Sequence, residues 1–310
     1  MTFGLQCTEE VSRAILDRAS EGGVTFLDTA DAYPVGGDLT TRGRTEEILG
    51  RWLKGRRANF IVATKCFAPT GPNPWDQGMN RRHIFDAVEQ SLRRLQTDWI
   101  DLYQLHGYDA ETPIDEALSA LDALVKSGKV RYIGCSNWLA FRVARALGRS
   151  EALGLARFDC VQPRYNLLFR EFERDLFPLC SEEGVGIIPY NPLAGGLLSG
   201  KHEASKPPPS GTRFTLGTAA QNYQQRYWHE REFASVDQLR SVAVDVGLLL
   251  PTLAVAWVLA QPEVTAPIIG ASRPEQLDAT LAALETPLPR DVLARLDELT
   301  REYRRGDAER

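Results

Sequence analysis

The sequence predicts an α/β protein built as a parallel (β/α)8 TIM barrel, and three observations carry that reading. Short apolar runs alternate with amphipathic helical stretches at intervals of about 25 to 40 residues over most of the chain. Several of those runs end in ionisable side chains, the position at which barrels carry their chemistry. At 310 residues the chain also has the length of one barrel of roughly 250 residues with insertions. A single domain over 1–310 is expected, with a long active-site-face loop at 195–235 and a C-terminal helix and tail at 289–310.

From the N-terminus, Thr8 opens a helix over 8–21, with Val11, Ala14, Ile15 and Arg18 at helical spacing and Gly22-Gly23 as its stop. The apolar run Val24 to Leu27 reads as a buried strand ending in Asp28, and a short polar turn leads to Tyr33. A helix from Arg44 to Leu53 stops at Gly55, and residues 59–64 form the strand before Lys65. Three prolines and two glycines make 67–80 a loop over the catalytic end, which offers Phe67 and Trp75 as substrate walls. Ile84, Val88, Leu92 and Leu95 mark a helix over 81–95, and WIDLYQL carries the chain back to His106. Pro113 opens a helix to Val125 that Gly128 closes. Strand VRYIG then leads to Ser136-Asn137, a helix runs to about Leu153, and strand FDCVQ ends at Gln162. A helix over 169–183 and strand VGIIPY, ending at Tyr190, follow. The loop 195–235 breaks the alternation with Pro207-Pro208-Pro209 and a polar, aromatic segment. Beyond it come a helix over 251–259, a strand TAPII reaching Gly270, a helix over 274–284 and a last helix over 291–303.

Composition narrows the function classes. With 43% hydrophobic and 25% charged residues the chain is of ordinary globular type. A net charge of -5 and the lack of any lysine- or arginine-rich run argue against a nucleic-acid partner. No apolar stretch approaches the ~18 residues of a membrane span. The opening MTFGLQCTEE has neither the basic nor the apolar region of a signal peptide, so a cytoplasmic location and no membrane partner are expected. Cys7, Cys66, Cys135, Cys160 and Cys180 form no CxxC and adjoin apolar runs, as buried free thiols do. The four histidines show no metal-ligand spacing, and no metal is expected.

The strand-end residues suggest one chemistry. A phenol, with a reference pKa of about 10, gives up its proton too reluctantly to be a good acid at neutral pH. An ammonium beside it favours the phenolate, a carboxylate holds that ammonium in place, and an imidazole orients a carbonyl oxygen. Taken singly, each group also has a structural reading: Asp28 or Asp31 as a helix cap, Tyr33 as a loop aromatic, Lys65 as a solvated strand end, His106 as a structural histidine.

Asp28, Tyr33, Lys65 and His106, in this order and each at a strand end, resemble the tetrad of the aldo-keto reductases, and the chain resembles that superfamily from residue 4 onward. The resemblance implies reversible, NADPH-dependent reduction of aldehydes or ketones. Hydride would come from the nicotinamide and the proton from Tyr33, tuned by Lys65 in the grip of Asp28, with His106 orienting the small-molecule carbonyl substrate. It also bears on the fold. Seven strands are recognisable, near residues 24, 60, 100, 130, 158, 186 and 266. The family's first strand would precede the opening helix and end in a turn before Phe-Gly, and MTFG resembles only the tail of that turn. The expectation is a barrel with its first strand and N-terminal hairpin missing or truncated, by about 20 to 25 residues. Either the true start lies upstream or the barrel is open.

There is no GxGxxG, and no Rossmann domain is expected. PIIGASRPEQL instead puts Gly270, Ser272 and Arg273 at a strand end before a helix opened by Pro274. Free N–H groups and a positive helix end can receive a phosphate there, and Arg273 suits the 2'-phosphate of NADP(H). This stretch resembles the family's NADP(H) motif, which implies that Gly270, Ser272, Arg273 and Gln276 hold the adenosine-phosphate end. Where the family usually has Glu-Asn near the adenine, this chain has Ala279-Thr280, leaving Thr280 at that position. The resemblance further implies that Asp28, Ser136, Asn137 and Gln162 meet the nicotinamide end, the hydroxyl and amides both donating and accepting as a carboxamide requires. Tyr190 would stack on the ring. Asn191, Pro192, Leu193, Ala194 and Gly195 would border the pyrophosphate, with Lys201 and Arg213 as clamps. Ser136-Asn137 reads equally as a helix cap.

Gly195 to Lys201 spells GxxxxGK, yet His202 stands where a P-loop needs Ser or Thr, and EASKPPPSG does not form the helix that must follow. Two readings stand beside the reductase: a cofactor-binding regulatory subunit, as in the superfamily's potassium-channel β subunits, and a truncated, inactive paralogue. No added partner-binding segment is visible. Phe67, Trp75, Tyr108 and Trp138 are candidate walls of a substrate pocket, and Arg164 a candidate for an anionic substrate. They select no particular substrate, and the oligomeric state is equally open.

Overall fold

The computed structural model describes residues 1–306. Its backbone divides into two compact units, Met1–Gln162 with Ser272–Pro274, and Pro163–Ala271 with Glu275–Arg310. The fold is α/β, with parallel strands and intervening helices.

The first unit alternates regularly: α1 (Glu9–Glu21), β1 (Phe26–Asp28), α2 (Arg44–Leu53), β2 (Ile61–Cys66), α3 (Arg81–Leu95), β3 (Ile100–Leu105), α4 (Ile114–Lys126), β4 (Val130–Ser136), α5 (Ala140–Leu153) and β5 (Cys160–Gln162). Local chemistry sets the helix ends. The Thr8 hydroxyl accepts from the Val11 N–H to start α1, and the Asn80 side chain accepts from His83 N–H to start α3, which Gln96 ends in the left-handed region at φ 54°. Before α1, Phe3 and Cys7 pair across a turn, and Thr45 at the start of α2 donates to Phe3 O at 2.9 Å. At Gly50 a Cβ would lie 2.3 Å from Arg94 O, so only glycine lets α2 approach the end of α3 this closely.

The five strands β1 to β5 pair in parallel, each with the next in chain order. Every residue of β3 is buried, as expected of a parallel strand covered on both faces. Register then decides what lies together. Asp28 pairs with Ala63, Lys65 with Gln104, Gln104 with Gly134, and Ser136 with Gln162. Because side chains alternate along a strand, Asp28, Lys65, Gln104, Ser136 and Gln162 share one face, while Thr64, Cys66 and Tyr103 share the other.

The second unit holds α6 (Leu176–Glu183), the two-residue β6 (Gly186–Ile187), α7 (Ala220–Tyr227), α8 (Glu230–Asp245), α9 (Leu250–Leu259), α10 (Gln276–Leu281) and α11 (Arg290–Leu299). Beyond β6 the pairing continues only as single parallel bridges, Ile187 with Val264 and Tyr190 with both Arg164 and Ile268. The fully buried Arg170 donates to Glu173, to Asp297 and to Thr300, tying the C-terminal segment to the start of the unit.

Several expected elements differ. Six strands form among the described residues, not seven: TAPII makes one bridge, Ile268 with Tyr190, but no strand, because the register slips by one residue after the Ile187–Val264 bridge. The strand carrying Lys65 does not stop before it but runs on through Cys66. The helix expected over 169–183 begins only at Leu176, where the Asp175 side chain caps Leu176 N–H at 2.7 Å after a tight turn at Glu171–Glu173. The stretch 195–235 is not all loop, since α7 and the first turn of α8 lie in it. Pro274 stands outside α10, which begins at Gln276 and passes into a 3-10 turn at Ala282–Glu285. The last helix ends at Leu299, followed by a 3-10 turn over Arg301–Arg305. No single helix among the described residues is long and apolar enough to cross a membrane. All five cysteines are buried, and none is in a disulfide.

Candidate active site

The first unit gathers its polar face at the C-terminal ends of β1 to β5. Lys65 is 0% exposed, and its ammonium donates to Asp28 Oδ2 at 2.5 Å and to Thr29 O at 2.9 Å. The other Asp28 oxygen accepts from Gln162 Nε2 at 2.9 Å and from Gln104 Nε2 at 3.4 Å. Past β1 the backbone keeps to β2, with Asp31 N–H donating to Lys65 O at 3.0 Å, and a turn closed by Tyr33 N–H on Ala30 O brings the phenol back. The Lys65 ammonium lies 5.5 Å from the centre of the Tyr33 ring, and the His106 ring meets Tyr33 edge-on at 5.6 Å. The structure therefore brings Asp28, Tyr33, Lys65 and His106 into one cluster. Burial, and then the Lys65 charge, push the His106 imidazole down to about 3, so the ring is neutral at any working pH. A neutral imidazole can donate one hydrogen bond and accept another without adding charge.

An amide network ties the strand ends together. Asn137 sits in the left-handed region at φ 63°, its side chain donating to His106 O at 3.1 Å and Ser136 Oγ at 3.0 Å. The Ser136 hydroxyl donates to Gln162 O at 2.8 Å. Gln104, buried between Asp28 and Gln162, was missed from the sequence. Its signal was present: it lies two residues before His106, hence on the same strand face.

Of the expected walls, three meet. Trp138 is 0% exposed and its indole N–H donates to Gly107 O at 2.9 Å, Tyr108 packs edge-on against it at 4.9 Å, and the Phe67 ring lies where a side chain on Gly107 would be. Trp75 stays apart, 44% exposed with the Arg82 guanidinium 5.1 Å from its ring.

The sequence profile of the Aldo/keto reductase family matches residues 1–301. The chain belongs to that family. Among its relatives are an uncharacterized oxidoreductase, YrpG, of Bacillus subtilis (36% identical, covering 96% of this chain and 90% of YrpG) and protein tas of Escherichia coli (35% identical, 98% and 93%). A probable voltage-gated potassium channel subunit beta of Arabidopsis thaliana is 34% identical over 92% of this chain and 85% of its own.

In this aldo/keto reductase the remaining cofactor candidates fall in separate places. Ser272 and Arg273 belong to the first unit, where Ser272 O accepts from the Cys7 thiol at 3.5 Å and Arg273 is exposed. In the second unit, burial pushes the Tyr190 phenol up to about 12. Asn191, at φ 66°, accepts from Gly195 N–H on its side chain at 2.6 Å and donates to Tyr227 Oη at 3.0 Å, fixing the turn through Pro192, Leu193 and Ala194. Ala194, Gly195 and Gly196 all have positive φ. Gly270 and Lys201 are exposed, and Gln276 opens α10. The Thr280 hydroxyl is buried and turned back onto Leu277 O at 2.9 Å. Arg213 leans towards the Tyr223 ring at 5.8 Å, with a buried Nη1 that has no hydrogen-bond partner. Arg164 is buried rather than exposed, 3.4 Å over the Phe169 ring.

Proposed function

We propose that this aldo/keto reductase reduces aldehydes or ketones to alcohols with NADPH, at Asp28, Tyr33, Lys65 and His106. The observation that carries the reading is a fully buried ammonium held by a carboxylate and facing a phenol, beside a neutral imidazole. A buried lysine with one carboxylate partner favours negative charge on a neighbouring oxygen, which is what an acid of high pKa needs in order to release its proton. Tyr33 is then the proton donor to the developing alkoxide. Lys65 tunes it, Asp28 keeps Lys65 charged and in place, and His106 directs a hydrogen bond at the carbonyl oxygen.

The donor set suits a dinucleotide. Asn191 and Gly195 shape a loop of positive-φ residues, and the unpartnered Arg213 nitrogen suits an anionic oxygen. Asp28, Ser136, Asn137 and Gln162 would hold the nicotinamide end, with Tyr190 against the ring. Asn191, Pro192, Leu193, Ala194, Gly195, Lys201 and Arg213 would hold the pyrophosphate, and Gly270, Ser272, Arg273, Gln276 and Thr280 the adenosine end. NADPH, when bound, supplies the hydride.

NADPH oxidation against a panel of reactive aldehydes and ketones tests it, with Tyr33→Phe as control. Turnover should vanish in the variant while quenching of NADPH fluorescence by the protein persists; ordinary turnover by Tyr33→Phe overturns the assignment. The likeness to a probable channel β subunit favours one other reading, a cofactor-binding subunit acting through a partner. Quenching without turnover in the unaltered protein would support that instead.

A further inference from the structure

The wall beside His106 ends in a cation. Arg142, in the first turn of α5, places its guanidinium 3.8 Å from the centre of the Tyr108 ring, close enough to be a stacked contact. Tyr108 is itself fixed edge-on against Trp138, and the indole of Trp138 is bonded to Gly107 O, the residue after His106. His106 O is held in turn by Asn137. A continuous series of packed rings and hydrogen bonds thus runs from the backbone at His106 and Gly107 to the guanidinium, all within the first unit.

Three properties of Arg142 distinguish it from a solvated surface arginine. Contact with a ring that is itself packed against Trp138 restricts its side chain before any ligand arrives, so less entropy is lost on binding. Among the described residues no hydrogen bond engages its guanidinium N–H donors, two of which can meet a carboxylate in parallel. Among the described residues no carboxylate forms an ion pair with it. Asp109, beside Tyr108, is instead committed to the N–H groups of Met79, Glu111 and Thr112 and to the Thr112 hydroxyl. Most other cations on this unit are spoken for: Arg94 by Glu46, Arg57 by Asp101, Arg149 by Asp115.

We propose that Arg142 is a specificity-determining residue that selects carbonyl substrates bearing a carboxylate, with the aldehyde or ketone at Tyr33 and His106 and the anionic end at the guanidinium. Phe67 and Tyr108 supply the apolar wall between the two ends. The inference rests on the reductase reading above and adds the substrate class.

An isosteric pair tests it: 4-carboxybenzaldehyde and its methyl ester, which differ in charge and little in shape. The unaltered protein should turn over the acid with the higher kcat/KM. In Arg142→Met the ratio of kcat/KM for acid over ester should fall at least about tenfold, the scale of one charged hydrogen bond, and the change should lie in KM for the acid. Tyr108→Ala, which removes the platform but keeps the charge, should lower the same ratio by less. Turnover of both aldehydes with a ratio unmoved by Arg142→Met overturns this inference and leaves the reductase standing. Turnover of neither aldehyde, nor of any in the wider panel, overturns both.

Discussion

Asp28 and Asp31 are three residues apart and both buried, yet their surroundings are opposite. Asp28 has an ammonium on one oxygen and two amide N–H donors on the other. Asp31 is 1% exposed, and neither of its oxygens meets a side-chain donor. It faces the other side of the β2 backbone, where Glu46 accepts from Thr64 Oγ1 at 2.6 Å and from Arg94 Nε at 2.7 Å. Burial, reinforced by the charge of Glu46, raises the Asp31 carboxyl well above the usual carboxylate range, against the weaker pull of Arg94 and Arg42. What separates the two is directed contact: an ammonium is aimed at one acid, while nearby but unaligned guanidinium groups leave the other to neutralise.

Breaking the satisfied side should cost most. Asp28→Asn leaves the Lys65 ammonium buried without its counter-charge, and urea unfolding should show a loss of about 3 kcal/mol together with a collapse of turnover. A variant as stable as the parent would mean that Lys65 sheds its proton rather than needing its partner.

The Asp31 side is sharpened by pH. Its pKa is raised by folding above an unfolded value of about 3.9, so its contribution to stability is complete below that value and is lost as pH rises through the folded one. Asparagine does not titrate. Paired urea midpoints from pH 4 to 8 should therefore show Asp31→Asn gaining on the parent as pH rises, then levelling; a constant difference would mean that Asp31 is ionised in the folded protein. Smallest of all is Thr64→Val, which removes one of the two partners of Glu46 and should cost about 1 kcal/mol at neutral pH with turnover unchanged.

The sequence revealed those site candidates that interrupt an apolar run, because an ionisable residue at the end of such a run is conspicuous: Asp28, Lys65 and His106. Gln104 escaped because a neutral amide inside DLYQLH changes neither charge nor apparent strand length, and only the alternation of faces exposes it. Helices with a clear signal, α1 behind Thr8 and α3 from the spacing of Ile84, Val88, Leu92 and Leu95, were readable to within a residue. TAPII misled because its apolar composition is that of a strand while a one-residue slip in register breaks its pairing. The isolation of Asp31 depends on how α2 and α3 lie against the strands, and no local pattern encodes that.

Adjacent positions of β2 and β3 serve opposite purposes: Lys65 beside Thr64, Gln104 beside Tyr103. A single inserted or deleted residue in either strand would exchange the two sets wholesale, sending the ammonium towards Glu46 and a hydroxyl towards Asp28. These strands are therefore intolerant of any change in length. Diversification of this scaffold would then proceed through the loops, with the spacing of the strands passed on intact.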